Sequence, residues 1–206
     1  MTEVRGDENP VRLAVLLSGS GRTLENFLAC IDAGDLPVRV VAVVASRPDV
    51  RGLAVAGAAG IPAAVFRRRD HATVADHNAA INAWLEQHDP EIIALAGYLS
   101  FYIPPEGFRG PVVNIHPALL PKFGGQGYYG DRVHEAVLAA GDTESGCTVH
   151  HVDLQYDHGA VIAQQRVPVL PGDDVHSLAD RVFAAECELY PRVLRRLAEQ
   201  VQSRRP

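Results

Sequence analysis

Short apolar runs rich in β-branched residues recur along the chain, and segments with helical spacing separate them. The runs are RLAVLLSG from Arg12, VRVVAVVAS from Val38, EIIALAGY from Glu91 and GPVVNIH from Gly110. Strands that helices cover on both faces have such continuous apolar sequences. The alternation therefore predicts an α/β fold: a Rossmann-like, doubly wound and mostly parallel sheet, with ligands at the carboxyl ends of its strands.

The last third of the chain has a different order of elements. GCTVHHVD (146–153) and AVIAQQRVPV (160–169) predict an antiparallel hairpin, and residues 173–202 predict a long amphipathic helix. We expect Pro191 to interrupt or kink that helix, because proline lacks the N–H of a helix interior. With no internal repeat and no linker, residues 1–206 are predicted to be one domain that begins with a flexible segment, residues 1–11.

Charge and cysteine usage exclude several classes of function. A formal net charge of -6 argues against a nucleic-acid partner, which needs a basic face. No run approaches the roughly 18 apolar residues of a membrane helix, and the polar N-terminus does not resemble a secretory signal. Three separated cysteines suit a reducing cytoplasm. These features predict a cytoplasmic protein that binds small molecules and neither membranes nor nucleic acid. We expect it to be a monomer or homodimer, a state that the sequence features do not decide.

The first predicted strand ends in SGSGRTLENF, which resembles an anion-binding turn. Its glycines allow a tight turn, and the following helix would direct free N–H groups and its positive dipole end at the loop. The sequence is neither GxGxxG nor GxxxxGK[ST], so a dinucleotide or P-loop function is weakly supported. We predict a monophosphate near Ser20, Gly21, Arg22 and Thr23; a simple strand-to-helix turn remains the alternative.

Another predicted strand, VVNIHP, ends with two polar side chains on one face. Asn114 and His116 are at i and i+2, and Pro117 should stop the strand directly after them. An asparagine amide can stabilise a developing oxyanion, and a histidine can donate to it or move a proton near neutral pH. The alternative is a strand-end histidine that a neighbouring carbonyl satisfies.

A carboxylate could complete this pair. Asp157 lies in the turn LQYDHG between the two late strands. A carboxylate beside an imidazole raises its basicity and fixes its tautomer. The sequence alone leaves open whether Asp157 meets His116 or only forms the turn.

The motifs NIHPALLP, GCTVHHVD and YDHGAVI, in that order, resemble those of the formyl-folate-dependent formyltransferase family. The resemblance extends from LLSGSG to AECELYP, nearly the whole chain. It implies a catalytic trio of Asn114, His116 and Asp157. It also implies a phosphate loop at residues 20–23 and a ribose-binding acid at Glu186.

The resemblance further implies an activity in de novo purine biosynthesis. The formyl group of 10-formyltetrahydrofolate, a co-substrate, would pass to the amine of glycinamide ribonucleotide through a tetrahedral intermediate. Relatives that formylate initiator tRNA or hydrolyse formyl-folate carry additional domains, for which we expect no room here.

Further positions follow from the same resemblance. The implied folate-binding residues are Tyr98, Leu99, Ser100, Phe101 and Tyr156. Ser100 stands where a basic residue is frequent, and Thr23 where asparagine is frequent. His150 is expected to support the catalytic residues from behind, and the glycine-rich loop 124–130 is expected to move over the substrate.

Nine histidines raise the question of a metal. The candidates are His134, His150, His151 and His158, yet no HExxH or Cys/His cluster occurs, so we predict no metal. Rival functions are a nucleotide-binding oxidoreductase that uses Arg47 or Asp49 for a ribose, a formyl-folate hydrolase, and a non-catalytic sensor.

Overall fold

A computed structural model describes residues 9–205 of the 206-residue chain, which form a seven-stranded mixed sheet covered by helices. The strands are β1 (Val11–Leu17), β2 (Val38–Ala45), β3 (Ala63–Val65), β4 (Ile92–Leu95), β5 (Val112–His116), β6 (Glu144–His151) and β7 (Val161–Pro168). The helices are α1 (Arg22–Asp32), α2 (Arg51–Ala58), α3 (Val74–Glu86), α4 (Asp131–Ala140) and α5 (Val175–Gln202), with a 3₁₀ turn at Arg68–Asp70. The predicted fold class is confirmed.

The strand order β3-β2-β1-β4-β5-β6-β7 creates a crevice beside β1. Strands β1 to β5 are parallel, whereas β6 is antiparallel to both β5 and β7. After β1 the chain builds β2 and β3 on one side and then returns to place β4 on the other. The loops that leave β1 and β4 therefore diverge, which is where doubly wound sheets bind ligands.

Strand β1 is apolar throughout because both of its faces are covered. Leu13, Val15 and Leu17 pack in the hydrophobic cluster that includes the buried side of α5. Ala14 and Leu16 point the other way, into the cluster that includes the buried side of α3. Alternate residues of a strand face opposite sides, so two covering layers require the continuous apolar run seen in the sequence.

Helix α5 runs without interruption through Pro191, so the interruption that the sequence suggested there is wrong, and a kink stays a prediction. Proline has no N–H for the carbonyl of Cys187, four residues earlier. The side-chain amide of Asn26 on α1 donates to that carbonyl instead, at 2.9 Å. A neighbouring helix thus supplies the missing donor.

The N-terminal boundary also differs from its prediction. Val11 is the first residue of β1 and is fully buried, so the predicted flexible segment cannot include it. Residues 1–8, which make up most of that segment, lie outside the described residues.

The two glycines of α2 differ in the space available for a side chain. A Cβ on Gly52 would lie 2.7 Å from the Leu17 side chain, whereas a Cβ on Gly57 would meet nothing within 4 Å. Glycine in a helix interior costs about 0.5–1 kcal/mol relative to alanine. We therefore expect Gly57→Ala to raise the free energy of unfolding by about that amount, as measured by urea denaturation. Gly52→Ala is the contrasting variant, and a loss of stability in Gly57→Ala would contradict the expectation.

Candidate active site

A cleft of about 620 Å³ opens at the carboxyl ends of β1, β4 and β5. It brings together most of the residues that the sequence singled out. Those that line it are Ser20, Gly21, Arg22, Thr23, Tyr98, Leu99, Asn114, His116, Tyr156, Asp157 and Glu186. Ser100, Phe101 and His150 do not line its wall.

At the end of β5, Asn114, His116 and Asp157 line the cleft together, and His150 lies behind them. Asp157 Oδ2 lies 3.4 Å from His116 Nδ1, and Asp157 Oδ1 accepts from Asn114 Nδ2 at 3.3 Å. Asn114 Nδ2 also lies 3.1 Å from His150 Nε2. The open question of whether Asp157 meets His116 is therefore settled: the turn between β6 and β7 delivers the carboxylate to the end of β5.

His116 has a second partner, the backbone carbonyl of Phe123, 2.7 Å from Nε2. A carbonyl only accepts, so Nε2 carries the hydrogen and Nδ1 faces Asp157. Burial lowers the pKa of His116, although Asp157 and the Phe123 carbonyl act in the opposite direction. The ring is thus neutral near pH 7, and a proton that reaches Nδ1 would meet a carboxylate at once. His116 is thus satisfied by a carbonyl and also lies beside a carboxylate.

His150 fixes the orientation of Asn114. Its Nδ1 donates to the carbonyl of His151 at 2.8 Å, so in the neutral ring Nε2 is left as an acceptor for the Asn114 amide. His150 is buried and His151 is exposed, as the alternation along β6 requires. The position of His150 behind Asn114 agrees with a supporting role, which stays a prediction.

Asp157 remains a carboxylate although it is largely buried. Burial alone would raise its pKa, but the neighbouring rings of His150 and His116 and the Gly125 N–H outweigh it, and the pKa is lowered. The Gly125 N–H donates to Oδ2 at 3.0 Å. Asp157 and Phe123 both have φ of +54°, a conformation that non-glycine residues adopt at a cost. Two strained positions thus hold the two groups that face His116.

The chain that follows β5 is fixed by a buried hydroxyl on β6. Thr148 Oγ1 donates to the carbonyl of Ala118 at 2.6 Å and accepts from the Leu120 N–H at 3.1 Å. The amide of Gln164 donates to the same oxygen at 2.9 Å. This uses the full bonding capacity of the hydroxyl and holds the turn that begins directly after His116.

The loop after β1 has the geometry of an anion site. Gly21 has φ of +76°, and α1 begins at the next residue without a side-chain cap. A Cβ on Gly21 would lie 2.6 Å from the Cα of Gly52, so only glycine fits this close approach. The uncapped N–H groups of the first turn of α1 are free to bind an anion.

Ser18 connects this loop to the loop after β4. Its Oγ accepts from the Leu99 N–H at 2.8 Å and from the Ser46 hydroxyl at 2.6 Å. Its N–H donates to the carbonyl of Gly97 at 3.0 Å. The sequence analysis assigned no role to Ser18, although a serine that ends a buried strand directly before a glycine turn is a recognisable signal.

His134 is a second residue that the sequence analysis did not place in the site. It is buried on α4, lines the cleft, and its Nδ1 has no hydrogen-bond partner among the described residues. Its helical spacing with Val133 and Val137 could have indicated a buried face, but not that this face reaches the cleft.

An apolar rim lies at the loop after β4. Leu99 is 49% exposed and Tyr156 is 40% exposed. The ring of Phe101 packs edge-on against Tyr156, with 4.9 Å between centroids. Phe101 therefore supports the wall of the cleft from outside it, and the rim can accept a flat aromatic ligand.

Glu186, on α5, lines the same cleft as the loop after β1. Burial raises its pKa to about 8, and the charge of Arg22 offsets this only in part. A carboxyl group that is protonated near neutral pH can both donate to and accept from a ligand hydroxyl.

The pKa of Glu186 predicts a pH-dependent stability. Its folded-state pKa of about 8 exceeds the ordinary value of 4.5, so the folded protein binds more protons and loses stability as pH rises from about 4.5 to about 8. Glu186→Gln removes this cost. We expect its gain in Tm over the wild type to grow between pH 5 and pH 8.5 in thermal denaturation.

Glu188→Gln on the exposed side of α5 is the matched control for Glu186→Gln. We expect its Tm difference to change much less over the same pH range. A gain in Glu186→Gln that is equal at pH 5 and pH 8.5 would contradict the raised pKa.

No group of three or more His, Cys, Asp or Glu side chains within residues 9–205 is arranged to hold a metal ion. In the same part of the chain, none of the helices is long and apolar enough to cross a membrane. The metal-free site stays a prediction.

Comparisons with known proteins agree on one family. The family model described as formyl transferase matches residues 11–194. The phosphoribosylglycinamide formyltransferase of Haemophilus influenzae is 35% identical over 190 residues, which cover 91% of this chain and 87% of that protein. The crystal structure of glycinamide ribonucleotide transformylase 1 from Symbiobacterium toebii has a TM-score of 0.86 and 35% identity, and the match covers 94% of this chain and 90% of that one.

Some relatives are much longer. The trifunctional purine biosynthetic protein adenosine-3 of Drosophila pseudoobscura pseudoobscura is 40% identical over 191 residues. That match covers 91% of this chain but only 14% of the relative. The similarity is thus confined to a small part of that protein.

Proposed function

The chain belongs to the formyl transferase family, and we propose that it transfers the formyl group of 10-formyltetrahydrofolate to the amine of glycinamide ribonucleotide in de novo purine biosynthesis. Its relatives are named for the glycinamide ribonucleotide reaction. The observation that carries the proposal is the meeting of Asn114, His116 and Asp157 in the cleft that Glu186 and the loop after β1 also line. The cleft therefore offers an anion site, a hydroxyl site and an acid–base cluster together.

The ribonucleotide would occupy the side of the cleft between α1 and α5. Its phosphate would accept hydrogen bonds from the uncapped first turn of α1, next to Ser20 and Gly21. A ribose hydroxyl would bond with the carboxyl group of Glu186. The amine would then extend toward Asn114 and His116 at the end of β5.

The formyl-folate would enter from the opposite side, along the loop after β4. Tyr98 and Leu99 line that side, and the exposed rim of Leu99 and Tyr156 suits the flat rings of a folate. Ser100 and Phe101 would act through Tyr98 and Tyr156, since neither lines the wall.

The reaction itself needs a stabilised oxyanion. The neutral amine attacks the formyl carbon, and the formyl oxygen becomes negative in the tetrahedral intermediate. Both hydrogens of the Asn114 amide point at His150 and Asp157. The 3.3 Å bond to Asp157 is the longer one, so we propose that the oxyanion takes over this hydrogen. A donor already fixed by His150 requires little reorganisation.

The reaction also needs a proton to move. The attacking nitrogen must lose a proton, and the folate nitrogen must gain one as the C–N bond to the formyl carbon breaks. His116, with its Nδ1 facing Asp157, can take up a proton that the carboxylate stabilises and then return it. The amine is the nucleophile, so no covalent enzyme intermediate forms.

Several finer points stay part of the proposal. Free cysteines at 30, 147 and 187 suit the predicted reducing cytoplasm. A monomer or homodimer without nucleic-acid or membrane partners is likewise a prediction. The movement of the 124–130 loop over the substrate also stays a prediction; most residues of this loop line the cleft.

A steady-state assay tests the proposal against its rivals. Purified protein is given 10-formyltetrahydrofolate with or without glycinamide ribonucleotide, and folate absorbance, formylated product and formate are followed. Turnover that requires the ribonucleotide and yields formylated product is the expected result. Formate release without the ribonucleotide would identify a hydrolase, and a rise in Tm with nicotinamide cofactors alone would favour an oxidoreductase.

A further inference from the structure

Helix α5 contains a carbonyl that its own backbone cannot satisfy. Pro191 lies inside the helix, and proline has no N–H to donate to the carbonyl four residues earlier, that of Cys187. Asn26 Nδ2 donates to this oxygen at 2.9 Å, from a residue 161 positions away. The bond joins α1 to α5 at the one turn of α5 that proline leaves without a helical donor.

Both ends of this bond are next to groups that the proposed function uses. Asn26 is in the second turn of α1, the helix that begins at the loop proposed to bind phosphate. Cys187 follows Glu186 directly, and Glu186 is the proposed ribose-binding group. The bond therefore connects the helix that would bind the phosphate, α1, to the helix that would bind the ribose, α5.

Arg22 forms a second connection between the same helices, nearer the cleft. Its guanidinium carbon lies 3.7 Å from the centroid of the Phe183 ring, and its Nη2 lies 3.7 Å from Asp180 Oδ1. Asp180 is exposed, so this ion pair is weak. The neutral, short and partly buried bond of Asn26 is better suited to fix the distance between α1 and α5.

We propose that Asn26 is a positioning residue for the ribonucleotide, because it sets the separation between the phosphate loop and Glu186. A ribose phosphate has a nearly fixed distance between its phosphate and its hydroxyls, so an error in this separation weakens binding at both ends. Asn26 touches neither substrate in this arrangement. The inference rests on the proposed function and adds to it a residue that the catalytic motifs do not include.

Asn26→Ala tests the inference in the same steady-state assay. A typical net contribution of a hydrogen bond corresponds to a change of about three- to tenfold. We expect the KM for glycinamide ribonucleotide to rise by about that factor, while kcat and the KM for the formyl-folate stay within about twofold. A residue that only stabilised the fold would lower Tm and leave this selective change in KM absent.

Pro191→Ala separates the positioning role of Asn26 from simple satisfaction of the carbonyl. Alanine restores the N–H that Cys187 O lacks, so the carbonyl no longer depends on Asn26. We expect the double variant Asn26→Ala/Pro191→Ala to keep the raised KM for the ribonucleotide, because the new N–H satisfies Cys187 O within α5 and does not join α5 to α1. Pro191→Ala alone should leave this KM nearly unchanged. Asp32 is exposed at the end of α1. Asp32→Asn is therefore the control for a change on the same helix, and we expect it to leave the KM for the ribonucleotide unchanged.

The outcomes separate this inference from the function on which it rests. No ribonucleotide-dependent turnover in the wild type would overturn the proposed function and the inference together. Wild-type turnover with an unchanged KM in Asn26→Ala, or a raised KM that Pro191→Ala reverses, would overturn the inference alone. If Asn26→Ala does not fold, Asn26→Asp replaces it, because its carboxylate has the same shape but cannot donate to Cys187 O.

Discussion

Replacing Asn114 with alanine is expected to lower kcat by about 10²- to 10³-fold, the usual cost of losing one oxyanion donor. In the proposed mechanism the Asn114 amide, held by His150 at 3.1 Å, donates to the negative oxygen only in the tetrahedral intermediate. Interactions that form only there affect kcat more than KM. We therefore expect the KM values for both substrates to change much less than kcat in steady-state kinetics.

His151→Ala is the control for this variant. His151 is next to His150 on β6 but is exposed, so its side chain is expected to contribute nothing to turnover. Near-UV circular dichroism of Asn114→Ala checks that the fold is retained. A folded Asn114→Ala enzyme with a kcat within a few-fold of the wild type would remove Asn114 from the proposed mechanism.

Replacing Gly159 with alanine is expected to be severe for both stability and activity. Gly159 is buried, and a Cβ there would lie 1.8 Å from the carbonyl oxygen of His151. That atom belongs to the backbone of β6 and cannot move away as a flexible side chain could. We expect a loss of about 3 kcal/mol in the free energy of unfolding, at the upper end for an overpacked site, measured by urea denaturation.

Gly159→Ala is also expected to lower activity, because Gly159 is two residues after Asp157 in the same turn. If the turn moves to relieve the contact with His151, Asp157 leaves its place beside His116, and proton transfer slows. His158→Ala, in the same turn but exposed, is the matched control and is expected to retain activity. Wild-type stability and turnover in Gly159→Ala would show that the turn does not follow the path described here.

The strands and the first half of the site were predictable because their signals are local. The alternating faces of β1 dictate its apolar run, and the i and i+2 spacing of Asn114 and His116 puts both side chains in one cleft. The glycine turn before α1 is equally local, since its φ of +76° at Gly21 excludes most other residues.

The other half of the site depends on contacts between distant residues, which no local pattern encodes. Asn114 and Asp157 are 43 residues apart, and whether they meet depends on the length and twist of the β6–β7 hairpin. The sequence offered two alternatives for His116, a bond to a carbonyl or a role in proton transfer. In the structure, the imidazole of His116 has a backbone carbonyl beside one nitrogen and a carboxylate beside the other.

Long-range contacts also explain the one helix that differs from expectation. Pro191 predicts an interruption on local grounds, and the donor that allows α5 to continue comes from Asn26 on another helix. Similarly, the raised pKa of Glu186 arises from burial between α5 and its neighbours, which its own helical position does not reveal.

A single-turnover experiment tests most directly whether this cleft transfers a formyl group to the ribonucleotide amine. Enzyme in excess is mixed with 10-formyltetrahydrofolate labelled with ¹³C in the formyl group, with saturating glycinamide ribonucleotide, and the label is followed by NMR. We predict that the wild type moves the label to the amide of the ribonucleotide and that Asn114→Ala, although it binds both substrates, does so about 10²-fold more slowly or worse. Label that appears as formate, or that reaches the ribonucleotide equally fast in both proteins, would contradict the proposed function or the proposed site.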